Sequence, residues 1–407
     1  MSDIIQGEGL TVFTNPRAAG PDEAYGETRS RILSATGFDS AQAAVRAWPG
    51  YRETPLHTLP GLARSLGLGA LYCKDEGARF ELGSFKALGG AYAVFRLLQK
   101  KIAEHHDGYL PGPAEILSGA YRDLIRTVTV TCATDGNHGR SVAWGAQMFG
   151  CRCVIFIHAS VSEGRRAAIA RYGAEVVRVP GNYDEAVRHA AAEAGRNGWT
   201  VVSDTTWEGY RDIPVDVMHG YGVMSREIIR QLPEPPTHVL VQAGVGALAA
   251  SVCAAFWQAW GPERPRFVVV EPEQAACHFA SARAGHPQPV HGDLETVMAG
   301  LACGEVSPAA WEILSAGAND FVTVADELAL EGMRVLAHPR AGDPALVAGE
   351  TGTSGLAVLL AARNSPRAAA ALGLDASARV LLICSEGATD PEIYRRVVGM
   401  DATEVCP

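Results

Sequence analysis

Lys86 is the residue whose surroundings first suggest chemistry. It lies in Gly83-Ser84-Phe85-Lys86-Ala87-Leu88-Gly89-Gly90, among small residues and one aromatic. The charged turn Lys74-Asp75-Glu76-Gly77-Ala78-Arg79-Phe80 precedes it, and a long apolar helix-like run follows. A lysine in that setting is partly desolvated, which lowers its pKa and supplies the neutral amine that Schiff-base chemistry requires. A solvated lysine at a helix start has the same local pattern, so the other motifs must decide.

Four further segments carry candidate groups, each at the end of a strand-like run. His238-Val239-Leu240-Val241-Gln242 leads into Gly244-Val245-Gly246-Ala247-Leu248-Ala249 and then a helical pattern. Glycines in that position let backbone N–H groups converge on an anion, and the helix dipole adds to the attraction. A plain tight turn reads the same way, and the third glycine of dinucleotide spacing is missing. Thr134-Asp135-Gly136-Asn137-His138-Gly139-Arg140 offers donors for a substrate carboxylate and an amide for a phenolic oxygen. Asp135 suits a base in that loop, although an Asp-Gly capping turn is the alternative. Asp204, in Ser203-Asp204-Thr205-Thr206-Trp207-Glu208-Gly209-Tyr210, can steer an ammonium group or cap a helix. Ser385, after Leu381-Leu382-Ile383-Cys384, puts a neutral hydroxyl at a strand end, and such a group facing a pyridine nitrogen leaves it largely unprotonated.

These groups need a scaffold, and the hydrophobic pattern indicates one. Strands are expected over residues 71–74, 127–131, 153–158, 175–179, 201–204, 238–242, 267–270 and 380–384. Helices are expected over 87–105, 161–172, 183–197, 221–231 and 247–260. The alternation predicts an α/β protein with twisted, mostly parallel sheets flanked by helices, and ligands then bind beyond the carboxyl ends of the strands. Segments 107–113, 232–237 and 339–344, rich in Gly or Pro, read as connections. The expected organisation is a larger domain of residues 1–89 and 216–407 and a smaller inserted domain of 90–215, with the active site in the cleft between them.

Composition narrows the function class. A chain of 407 residues with 47% hydrophobic content exceeds the usual single-domain size. A formal charge of -10 with no basic run argues against nucleic acid and anionic membrane surfaces, which leaves small-molecule chemistry. The acidic start lacks the pattern of a signal peptide, and no apolar run is long enough to span a bilayer, so a cytoplasmic protein is expected. Nine cysteines, mostly in strand-like surroundings, are read as reduced core thiols. No metal is expected, because Cys151-Arg-Cys153 lacks a second pair and His105-His106 lacks converging ligands.

Together these motifs resemble the fold-type II enzymes that use pyridoxal phosphate, the group related to the tryptophan synthase β chain. Within it the similarity is closest to the diaminopropionate ammonia-lyases and covers nearly the whole chain. It rests on Tyr51-Arg52-Glu53-Thr54-Pro55-Leu56, Lys74-Asp75-Glu76, Phe85-Lys86-Ala87-Leu88-Gly89-Gly90 and the loop Thr134 to Arg140. It rests equally on Asp204 to Tyr210, Gln242 to Ala247, Met298-Ala299-Gly300-Leu301-Ala302-Cys303-Gly304-Glu305 and Glu386-Gly387-Ala388-Thr389-Asp390.

The resemblance implies roles. Lys86 holds the cofactor and, once released by the incoming amino acid, is the base for the α-proton of an L substrate. Asp135 is the base on the opposite face for a D substrate, and Asp204 contacts the substrate amino group. Phe85 and Asn137 bind the cofactor, Asn137 at its phenolic oxygen; Gly244, Val245, Gly246, Ala247 and Leu248 take its phosphate; Ser385 or Cys384 faces its ring nitrogen. Ser84 and Thr134 join Asp135 and Asp204 in binding substrate. The implied reaction is α,β-elimination of D- and/or L-2,3-diaminopropionate to pyruvate and ammonia, in a homodimer with no nucleic-acid or membrane partner. The chain departs from the family in three places. Gly83-Ser84 stands where Asn-Ala is usual, Glu53 where proline is, and Gly349-Glu350-Thr351-Gly352 only loosely follows Gly-Glu-Ser-Gly. Ser84 is a feature of serine and threonine dehydratases, so a serine, threonine or hydroxyaspartate dehydratase is the competing reading, and a non-catalytic cofactor-binding relative a further one.

Overall fold

The computed structural model describes residues 4–134 and 136–406. The chain divides into two compact units, a larger one of residues Met1–Ala35, Glu53–Ser84 and Met224–Pro407 and a smaller one of Thr36–Arg52 and Phe85–Val223. In chain order the strands are β1 (Ile4–Gly7), β2 (Leu10–Thr14), β3 (Leu56–Thr58), β4 (Ala70–Asp75), β5 (Thr129–Ala133) and β6 (Arg152–His158). They continue with β7 (Glu175–Val179), β8 (Thr200–Val201), β9 (His238–Gln242), β10 (Arg266–Pro272), β11 (Asp320–Val324) and β12 (Arg379–Cys384).

The larger unit holds an eight-stranded sheet in the order β1-β2-β11-β10-β9-β12-β4-β3. Its five inner strands, β11 to β4, run parallel, and antiparallel partners β2 and β3 flank them. β9 and β11 are buried at every residue, as strands covered on both faces are. Leu240, Val268, Val322 and Leu382 pack there against Leu356, Ala357 and Leu359 of the helix Ser354–Arg363. The smaller unit holds a four-stranded parallel sheet in the order β7-β6-β5-β8. Its core joins Val154 and Phe156 of β6 to Ala186 and Ala190 of the helix Tyr183–Asn197.

Several expected boundaries differ. Residues 36–52, assigned above to the larger domain, belong to the smaller unit, where the Phe38 ring meets His219 edge-on at 5.4 Å. The strand expected over 201–204 is only Thr200–Val201, because the chain turns immediately to present Asp204. The helix expected to begin at 221 begins at Asp212 and runs to Gln231. Among the described residues no helix is long and apolar enough to cross a membrane.

Candidate active site

In the smaller unit the groups collect around Lys86, the first residue of the helix Lys86–His105. Two glycines in its first turn admit close neighbours. A Cβ on Gly89 would lie 2.3 Å from Cε1 of Tyr221, and one on Gly90 would lie 2.4 Å from Oγ of Ser141. Ser141, on the helix Asn137–Phe149, uses that approach to donate a 2.6 Å hydrogen bond to the Lys86 carbonyl. Farther along, a Cβ on Gly145 would meet Cα of Ala91 at 2.7 Å, so small residues set the spacing of these two helices. The backbone of Lys86 is thereby fixed.

The Lys86 ammonium donates to Oδ2 of Asp204 at 2.5 Å and lies 5.6 and 5.9 Å from the ring centres of Phe85 and Tyr221. The loop bearing Asp204 is pinned by Tyr210, whose hydroxyl donates to the Val201 carbonyl at 2.8 Å and accepts from the Ser203 amide at 3.0 Å. His138 donates from Nε2 to the Val202 carbonyl at 2.8 Å and holds Nδ1 4.0 Å from Asp204 Oδ2. Burial pushes the Asp204 carboxyl up, but the charges of Lys86 and His138 and the Lys86 hydrogen bond outweigh it and hold the group well below the usual carboxylate range. Asp204 therefore stays ionised, as a group that grips an ammonium must.

The loop after β5 carries the remaining expected residues. Thr134 is buried, and its hydroxyl accepts from the amides of Gly136 at 3.0 Å and Gly139 at 3.1 Å. It thus shapes the turn into the helix that Asn137 opens. Asp135 lies outside the described residues.

In the larger unit, β9 ends in the glycine turn. Gly246, at φ +96°, precedes the helix Ala247–Trp260. The turn's carbonyls are engaged: Gly244 accepts from the Cys277 thiol at 3.7 Å, Val245 from the Ser307 amide at 2.9 Å and Gly246 from the Ala250 amide at 2.8 Å. Among the described residues the amides of Gly244, Val245, Gly246, Ala247 and Leu248 donate to no acceptor. Neighbours close on the turn. A Cβ on Gly244 would meet the Gly300 carbonyl at 2.9 Å, and one on Gly246 would meet the buried His278 ring at 2.5 Å. Five unspent N–H groups at a helix N-terminus, in a cradle too tight for side chains, fit a phosphate.

Ser385 follows β12 and is buried. Its neighbour Cys384 packs into the hydrophobic core with Cys73, and the hydrogen bond with that thiol, then burial, raise the Cys384 pKa. Ser385 is the polar group of the pair. Glu386 and Gly387 pair back onto the segment before Lys86, through a bridge to Ser84 and a 2.9 Å hydrogen bond from the Gly387 amide to the Gly83 carbonyl.

The charged turn before Lys86 is not solvated. Lys74, Glu76 and Arg79 are buried and join Glu227 and Thr54, with Lys74 and Arg79 each 2.7 Å from Glu227. After this cluster Phe80 and Glu81 take φ of 50° and 60°, strained for non-glycine residues. Local sequence reading missed Glu227, Tyr221, His138, Gln242, Glu271 and His278 as site or support residues. Only His138 and Gln242 lie inside motifs that could have signalled them.

A model of the pyridoxal-phosphate dependent enzyme family matches residues 47–386. The diaminopropionate ammonia-lyase of Escherichia coli strain K12 is 42% identical over 388 residues, which cover 94% of this chain and 96% of that enzyme. The crystal structure of the Escherichia coli enzyme in complex with an aminoacrylate–PLP azomethine reaction intermediate aligns with TM-score 0.85 and 37% identity, covering 97% of this chain and 98% of the other. Its complex with D-serine aligns equally well, with TM-score 0.85. The glycine cradle, the lysine in its aromatic setting and this likeness along nearly the full length agree. The chain belongs to the diaminopropionate ammonia-lyase family of pyridoxal-phosphate dependent enzymes.

Proposed function

We propose that this protein eliminates ammonia from D- and/or L-2,3-diaminopropionate, yielding pyruvate and ammonia. The observation that carries the reading is the 2.5 Å pair of Lys86 and Asp204, an amine held beside a carboxylate that stays ionised. Pyridoxal phosphate supplies the electron sink for the carbanion that forms at the substrate α-carbon. Lys86 would hold it, with Phe85, Asn137, Gly244, Val245, Gly246, Ala247, Leu248 and Ser385 as the further cofactor contacts.

The protein's own work is positioning and proton transfer. Asp204, ionised and on a loop pinned by Tyr210, contacts the substrate amino group. Lys86, freed as an amine, takes the α-proton of the L enantiomer, and Asp135 takes that of the D enantiomer. Ser84 and Thr134 contribute to the substrate subsite. A homodimer completes the proposal by family resemblance.

The test is a panel of D- and L-diaminopropionate, D- and L-serine, L-threonine and hydroxyaspartate, assayed for oxo acid and ammonia. Turnover of threonine or hydroxyaspartate with none of either diaminopropionate enantiomer would replace the reading with a dehydratase. Asp135→Asn should abolish the D reaction and spare more of the L reaction, whereas equal losses would contradict the two-base assignment.

A further inference from the structure

We propose that Gln242 is a positioning residue that fixes Ser385 as a hydrogen-bond donor and so keeps the cofactor's ring nitrogen unprotonated. The proposal rests on the reading that Ser385 faces that nitrogen. Gln242, at the end of β9, is buried, and its Nε2 lies 2.6 Å from Ser385 Oγ, 3.0 Å from the Ile383 carbonyl and 3.3 Å from the Thr351 carbonyl. Two of those three partners are backbone carbonyls, which only accept. The amide therefore presents its NH2 group to this side, since the flipped orientation would set oxygen against oxygen at both carbonyls.

The consequence falls on Ser385. An NH2 group has no lone pair to offer, so the serine oxygen accepts and its own proton must point elsewhere. Among the described residues that proton has no acceptor, although Ser385 is only 1% exposed. A buried hydroxyl hydrogen without a partner calls for one, and a pyridine nitrogen with a free lone pair is the group that answers it. A protonated ring nitrogen would meet a hydroxyl already committed to donating. Ser385 alone could serve as donor or acceptor; with Gln242 behind it, it serves as donor. The direction of this bond limits how much negative charge the ring can store, which favours prompt loss of a β leaving group over reactions that need a long-lived carbanion.

The experiment loads the enzyme with pyridoxal phosphate labelled with 15N in the ring and follows the ring-nitrogen resonance through a pH titration. Wild type should show a neutral, hydrogen-bonded nitrogen through neutral pH. In Gln242→Met the Ile383 carbonyl loses its partner, so the Ser385 proton can turn to it and leave an oxygen lone pair toward the ring. The apparent pKa of the ring nitrogen should then rise by about one unit or more, a tenfold gain in the protonated form. Gln242→Leu carries the same expectation should the methionine variant not fold. Ser385→Ala should move the wild-type resonance to that of a neutral nitrogen without a donor. A ring nitrogen protonated in wild type near neutral pH would overturn the proposal. So would a resonance that responds to Ser385→Ala but not to either Gln242 variant, which would leave the placement of Ser385 standing. A resonance indifferent to Ser385→Ala would instead remove the placement itself.

Discussion

Gly246→Ala is the sharpest perturbation of the phosphate cradle. The residue sits at φ +96°, and its added Cβ would lie 2.5 and 2.6 Å from Cε1 and Nε2 of His278 and 3.1 Å from Cβ of Ala310. His278 has nowhere to go. Its ring is fully buried, and Glu271 grips the backbone behind it by accepting from the amides of His278 and Phe279, both at 2.7 Å. A left-handed backbone costs an L residue about 1–2 kcal/mol, and forcing a methyl group into a packed site costs about 1–3 kcal/mol more. The turn relaxes by moving its amides out of line. If the roughly 2–5 kcal/mol falls on the loaded form, the Kd for pyridoxal phosphate rises about thirtyfold to a few thousandfold. Absorbance titration of apoenzyme with pyridoxal phosphate reads the Kd, and thermal unfolding of the apoenzyme reports any separate loss of stability. A Kd within about twofold of wild type together with an unchanged apo Tm would refute the reasoning.

Three further changes probe other parts of the account. Asp204→Asn removes the charged partner of Lys86 and should lower kcat/KM about a hundredfold, as loss of a charge-assisted pair costs a few kcal/mol; a fall below about threefold in steady-state kinetics would argue against its role. Gly89→Ala places a Cβ 2.3 Å from Tyr221 Cε1 and should cost about 1–3 kcal/mol, read as a Tm lower by several degrees. Burial raises the Glu271 carboxyl to about 8, against the two amide hydrogen bonds that lower it, so the native state holds this proton more tightly than the unfolded chain does. That contribution is fully present below the unfolded value of 4.5 and is lost as pH rises through about 8. Glu271→Gln should therefore flatten the decline of stability with rising pH, by up to ~5 kcal/mol across that window, and denaturant midpoints at the two ends would measure it.

What the sequence made legible follows from how local each determinant is. β9 falls where its sequence run places it, because burial on both faces shows in consecutive residues, and β7 matches its expected bounds although only Val179 of it is buried. β1 and β2 were not anticipated: a short hairpin at the chain start is held by pairing β2 to β11, more than 300 residues away. In the helix Asp212–Gln231, Pro214 and Gly220 precede the expected start at 221, where such residues signal a break, and Gly222 follows it. The glycines are there for packing instead. A Cβ on Gly220 would meet the Leu88 carbonyl at 2.5 Å, and one on Gly222 the Phe38 ring at 2.1 Å.

The site divides in the same way. Lys86, Asn137, Asp204 and the glycine turn stand out because each lies in a short motif at a strand or helix end. The supports do not. Lys74 and Arg79 look like a solvated turn until Glu227, distant in sequence, supplies the buried carboxylate that pairs them. Tyr221 reaches Lys86 only because Gly89 has no side chain. Pattern reading finds groups that act, whereas the groups that hold them depend on tertiary contacts.

The most direct test of the central claim is the product ratio from 2,3-diaminopropionate. Purified holoenzyme, given each enantiomer separately, should release ammonia and pyruvate in a ratio of two to one, since elimination frees the β-amino group and hydrolysis of what remains frees the second. Ammonia without pyruvate, a ratio of one to one, or no turnover of either enantiomer would contradict it.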